Sequence, residues 1–244
     1  FLHLIFNFKT KFILRISGLP KLGFFRKLFW RIALKKISLI TCPSEKTLNY
    51  LNSLGIVSNK KVQLLYDPII NVKDIIKNRK DNPKNDKFDG KDYYFAAGRL
   101  TKQKNFLFLC NAFKKILLKY PKLKLVIAGE GEEEEEILSF IKKNSLENNI
   151  YLIGFIDNVF PYIKRSKAFI LSSLWEDPGF VLVESAFCRT LVISSDCDTG
   201  PKELIKDNIN GILFNSNDVD DFIVKFEELL KLSKNKNNIL LSNL

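Results

Sequence analysis

The chain has 244 residues, of which 46% are hydrophobic, which excludes disorder over most of its length and allows one large domain or two modest ones. The net charge of +12 is unevenly placed: residues 1–80 hold 16 basic and 3 acidic side chains, and the remaining 164 hold 23 and 24. A strongly basic segment precedes an electrically balanced one, which argues against a chain-wide nucleic-acid surface.

In chain order, Phe1 stands where Met would open a gene product, and residues 1–11 lack a small-residue cleavage pattern, so a fragment of a longer protein is expected. His3 is the only histidine, which leaves no Ser-His-Asp triad and no histidine-based metal site in the organised part. Lys21–Lys36 reads KLGFFRKLFWRIALKK, an amphipathic helix with Leu22, Phe25, Leu28, Phe29, Ile32 and Ala33 on one arc and Lys27, Arg31 and Lys35 opposite. Such an arc either lies on an anionic membrane surface or packs on a sheet. Phe24, Trp30 and Leu34 fall outside it and need a second apolar environment.

Strands are expected at Ile37–Thr41 and Lys61–Leu65, flanking a helix over Ser44–Leu54 with Ser44 as its N-cap. These close a partial α/β domain spanning residues 1–70. Asn71–Lys91, rich in Lys, Asn and Asp, reads as a polar inter-domain linker.

From Tyr93 short β-branched runs alternate with amphipathic ones. Strands are expected at Tyr93–Ala97, Leu123–Ala128, Ile150–Ile153, Ala168–Ser172, Leu191–Ser194 and Gly211–Phe214. Helices are expected at 104–119, 132–144, 158–165, 180–188, 202–207 and 218–231, and residues 233–244 read as a frayed or cut tail. The pattern describes a Rossmann-like parallel sheet with helices on both faces over 92–232, whose ligand would sit at the carboxyl ends of the strands. No uncharged stretch reaches the roughly 18 to 20 residues of a membrane span. The spacing of Cys42, Cys110, Cys188 and Cys197 suggests buried thiols in a reduced, cytoplasmic setting and no zinc.

Several short segments could carry chemistry. Gly98-Arg99-Leu100-Thr101-Lys102-Gln103-Lys104-Asn105 follows a strand and opens a helix, which outlines a phosphate site with Arg99 and Lys104 as fixed charges, or else a solvated basic turn. Glu176 and Glu184 lie eight residues apart across a Pro-Gly turn. Glu184 could accept from ribose hydroxyls and Glu176 from sugar hydroxyls, and the N–H groups of Gly179, Phe180, Val181 and Leu182 between them could hold a diphosphate. As a bare pattern the two acids are ordinary solvated ones. Gly154-Phe155 could border a base, though such turns are more often packing. Ala128-Gly129-Glu130-Gly131 is half a dinucleotide fingerprint, and Glu132–Glu136 is an acidic first turn of a helix.

The succession GRLTKQKN, AGEG, GFIDN, the two glutamates within WEDPGFVLVESAFCRTLVISSDCDTGPKELI, and NGILF resembles the nucleotide-binding C-terminal domain of GT-B retaining glycosyltransferases of family four, over about Tyr93–Leu230. ISLITCPSE and KVQLLYDPI resemble the end of that family's N-terminal acceptor domain and its hinge. The resemblance implies that Arg99 and Lys104 bind the donor diphosphate, that Glu176 meets the donor sugar and Glu184 the ribose, and that Gly154 and Phe155 frame the base. It implies a UDP-hexose or UDP-N-acetylhexosamine donor, a glycan or lipid-linked acceptor, retention of configuration and no metal. A non-catalytic nucleotide-sugar-binding fragment is the alternative. Arg189 and Leu191 depart from the Gly-x-Pro usual at that helix exit, and Asp67 from the usual hinge Asn. The family's glycine-rich loop and catalytic histidine have no match here.

Overall fold

The computed structural model describes residues 9–67, 70–83 and 92–231. His3, the expected tail at 233–244 and the later part of the expected linker lie outside them. The chain divides into two compact units, residues 1–69 and 70–244.

The first unit is a small parallel sheet of β1 (Ile13–Arg15), β2 (Leu39–Cys42) and β3 (Val62–Leu64), in the order β1-β2-β3. It carries helices α1 (Phe24–Ala33) and α2 (Glu45–Ser53). Ser44 caps α2 as expected, its hydroxyl accepting from the Thr47 amide at 3.3 Å, which satisfies one of the orphan donors of the first turn. Ile16, Leu34, Ile37, Ile40, Leu51, Ile56 and Val62 form its core. Strand β1 had no counterpart in the sequence reading. It has three residues, and exposed Ile13 hides the alternation that would mark it.

The second unit opens with helix α3 (Val72–Asn78), which corrects the expectation of a polar linker over 71–91. Asn71 caps α3 by accepting from the Asp74 amide, and Ile75 is buried in the core of the unit. Helix α3 rests on α6 (Phe160–Arg165) and α7 (Phe180–Phe187). Asn158 clamps it by donating to Asn78 O and Asp81 Oδ2, both at 3.0 Å.

The remaining elements alternate. They are β4 (Tyr93–Ala97), α4 (Phe106–Leu117), β5 (Lys124–Ala128), α5 (Glu134–Lys143), β6 (Ile150–Leu152), α6, β7 (Phe169–Leu171), α7, β8 (Val192–Ser195), α8 (Pro201–Leu204), β9 (Ile212–Phe214) and α9 (Val219–Lys231). All six strands are parallel, in the order β6-β5-β4-β7-β8-β9. Alternate residues of one strand feed opposite faces. Tyr94 and Ala96 join Phe113, Phe222 and Phe226 under α4 and α9, while Tyr93 and Phe95 join Tyr162 and Phe169 under α6. Both faces are covered, which a parallel sheet requires. The order turns around between β4 and β7, so their carboxyl ends flank a crevice where the chain leaves the sheet in two directions.

Candidate functional site

The crevice holds a cleft of about 620 Å³ whose lining includes Gly98, Arg99, Lys104, Gly129, Glu130 and Phe155 from the β4, β5 and β6 loops. Ile156, Val159, Glu176, Asp177, Gly179, Phe180, Val181 and Glu184 complete it. The loop after β4 is built against the loop after β5. The Gly98 amide donates to Ala128 O at 3.0 Å and the Leu100 amide to Glu130 O at 2.9 Å. Gly129 is required at this crossing, because a Cβ there would lie 1.9 Å from the Gly98 carbonyl oxygen.

Lys104 and Glu176 meet in the cleft. Lys104 Nζ donates to Glu176 Oε1 at 2.6 Å, and Ser173 Oγ donates to the same oxygen at 2.5 Å. Glu176 is 4% exposed. Thr199 holds its backbone by donating to Glu176 O, and the loop carrying Lys104 is fixed to the loop after β7 by Ser172 Oγ donating to Lys104 O at 2.8 Å. The Leu174 amide donates to Gln103 O at 2.8 Å and Gln103 Nε2 to Trp175 O at 2.9 Å. The sequence reading gave Lys104 and Glu176 separate partners. In the structure they share one another, so a change in either alters the charge seen by a ligand of the other.

Glu184 lies in α7, with its carboxyl half-buried. Burial raises it above the ordinary carboxylate value. Gly179 precedes α7 with φ +84°, a conformation that other residues adopt only under strain, and lets the chain turn from the loop into the helix. Gly179, Phe180 and Val181 line the cleft, but Leu182 does not. Its amide already donates to Gly179 O at 3.0 Å and its side chain is in the core, which removes it from the expected phosphate donors. Gly154 is also behind the site rather than in it: its carbonyl accepts from the Gly129 amide at 2.9 Å, and Phe155, 64% exposed, reaches the cleft instead.

Sequence reasoning missed Ser173, Gly129 and Glu130. Ser173 matters through a fold-dependent contact with Glu176, and Gly129 only because two loops cross there. The thiols stand apart from this chemistry: all four are buried and unbridged, and burial pushes Cys197 up to about 11.

A doubly wound sheet with cations, two carboxylates and a helix start gathered at its switch point defines a nucleotide-binding α/β domain of the GT-B type. Residues 77–240 match the family model "Glycosyl transferases group 1", and the chain belongs to that family. The chain is 41% identical over 117 residues to an uncharacterized glycosyltransferase of Methanocaldococcus jannaschii, covering 48% of this chain and 29% of that one. It is 30% identical over 217 residues, 86% of this chain and 57% of the relative, to the N-acetylgalactosamine-N,N'-diacetylbacillosaminyl-diphospho-undecaprenol 4-alpha-N-acetylgalactosaminyltransferase of Campylobacter jejuni. The crystal structure of Anabaena HepE in complex with UDP and glucose shares the fold, with a TM-score of 0.75 at 18% identity over 96% of this chain and 65% of that one. The chain thus spans between 29% and 57% of the length of these two curated relatives.

Proposed function

We propose that this chain is the donor-binding part of a glycosyltransferase that moves a hexose or N-acetylhexosamine from a UDP-sugar to a glycan or lipid-linked acceptor, with retention of configuration. The pathway would be one of cell-surface polysaccharide or glycoconjugate synthesis. The observation that carries this reading is that Arg99, Lys104 and the start of α7 line the same cleft as Glu176 and Glu184. A diphosphate between the two cations and the amides of Gly179, Phe180 and Val181 meets fixed positive charge and a helix dipole in a partly closed site. The ribose then falls to Glu184, the base to Phe155 and the sugar to Glu176.

In transfer, the bond between the anomeric carbon and the β-phosphate oxygen breaks while a bond to the acceptor hydroxyl oxygen forms. The acceptor proton leaves with that exchange. Negative charge grows on the departing UDP, where Arg99 and Lys104 stabilise it without a metal ion. Positive charge grows on the sugar, beside the Glu176 carboxylate. The buried, unbridged thiols suit a cytoplasmic setting, and among the described residues no helix is long and apolar enough to cross a membrane.

Calorimetry in EDTA with UDP, ADP and NAD tests the binding half. UDP should bind tightest, and Arg99→Ala should weaken it by about 1.5 to 3 kcal/mol, the scale of a charge-assisted hydrogen bond. No UDP binding by the folded chain, or binding only with a divalent ion, would count against the assignment. The anomeric configuration of the product from the longer protein, read by NMR, tests retention. Binding without any transfer by that protein would favour a non-catalytic module.

A further inference from the structure

The first 44 residues hold nine Lys and Arg and no Asp or Glu, and α1 lies within them. Helix α1 is firmly mounted. Trp30, with Leu22 and Leu34 from its two flanks, packs on the core of the first unit. Tyr50 Oη donates to Pro20 O at 2.8 Å ahead of the helix. Lys61 Nζ donates to Lys35 O and Ile37 O at 3.1 and 2.9 Å behind it, and Arg31 Nε reaches Gly55 O at 3.3 Å. The second apolar environment expected for Trp30 and Leu34 is therefore the protein itself, and Leu22 belongs with them rather than with the outer arc.

The opposite arc faces solvent. Phe24 is 80% exposed, Phe25 81%, Leu28 51% and Ile32 46%, and no residue of α1 is buried. At about 100° per residue these four share one side of the helix, with Lys27 and Arg31 along one border and Arg26 along the other. Phenylalanine rings bordered by cationic side chains on both edges match the boundary between acyl chains and phosphate headgroups: the rings enter the apolar side and the long side chains reach back to the anionic layer.

We propose that α1 is a docking surface for an anionic lipid bilayer, holding the protein peripherally on the membrane. An acidic protein groove would match the charge but leave part of so broad an aromatic arc in water, whereas a bilayer covers it along its whole length. The inference is independent of the sugar-transfer reading, and its test uses no nucleotide.

The full chain is co-sedimented with phosphatidylcholine vesicles containing or lacking phosphatidylglycerol, at low and high salt. Binding is expected only to the anionic vesicles and should weaken with salt. Lys27→Gln, Arg31→Gln and Lys35→Gln should each cost roughly fivefold. Phe24→Ser with Phe25→Ser should abolish sedimentation while leaving the melting temperature unchanged. Equal binding to neutral vesicles, or indifference to these substitutions, would overturn the proposal. So would a clear loss of thermal stability in the double Phe variant, which would show that the arc packs on protein. Self-association of the lipid-free chain that the Phe variant abolishes would point to a second copy as the occupant.

Discussion

At the scale of single residues, the Lys104–Glu176 pair decides how the site is tested. Side-chain exposures of 17% and 6% place it well inside the protein, where two opposite charges hold each other up and removal of one strands the other. Lys104→Ala leaves Glu176 buried with only the Ser173 hydroxyl donating to that oxygen among the described contacts, and it should cost about 2 to 3 kcal/mol of stability. Glu176→Gln keeps an acceptor for Ser173 and removes the charge, so adding it to Lys104→Ala should recover at least about 1 kcal/mol. Denaturant unfolding of the two single variants and the double closes the cycle, and strict additivity would show that the pair is not coupled. UDP affinity should stay low in both backgrounds that lack Lys104, which separates loss of the phosphate contact from loss of the fold. Without this control, a weak-binding Lys104 variant would be uninterpretable.

At the scale of elements, the six strands of the second unit are legible because each is a run of apolar residues buried on both faces, and β4 occupies the residues expected of it. Their flanking helices are legible through caps and periodicity. Helix α3 was hidden for a physical reason: seven residues with one fully buried side chain carry almost no periodic signal, and Lys, Asn and Asp around them resemble a linker. In the site, the charged and glycine positions could be read from the strand-to-helix loops, but Leu182 and Gly154 could not be rejected there. Their donors and acceptors are consumed by neighbours that only the fold brings close. Helix α3 also makes a quantitative expectation. Ile75 is 3% exposed against the layer of Tyr93, Phe95 and Tyr162, so Ile75→Ala should cost about 2 to 4 kcal/mol by lost burial and residual cavity. A true linker would tolerate the change within about 0.5 kcal/mol, and urea unfolding distinguishes the two.

At the scale of the molecule, charge and chemistry are divided between the two units. The described basic surface of the first unit belongs to residues without a single acid before Glu45, while every lining residue of the cleft falls between Ala97 and Glu184 in the second. Both hydrophobic layers of the six-stranded sheet are supplied from within the second unit, Ile75 of α3 included. A sheet covered on both faces by its own helices has the core that independent folding requires. A chain beginning at Ile70 should therefore unfold cooperatively and bind UDP within about threefold of the full chain, since no cleft residue is lost, a difference under about 0.7 kcal/mol. It should lose the strong positive charge and, with α1 gone, any preference for anionic vesicles. A chain beginning at Asp92 should be less stable, because it lacks α3 and the clamp from Asn158. Parallel calorimetry and urea unfolding of the three lengths provide the measurement. Weak UDP binding by a well-folded 70–244 chain would mean that the first unit contributes to the donor site, and equal stability of the two shorter chains would return residues 71–91 to the role of a linker.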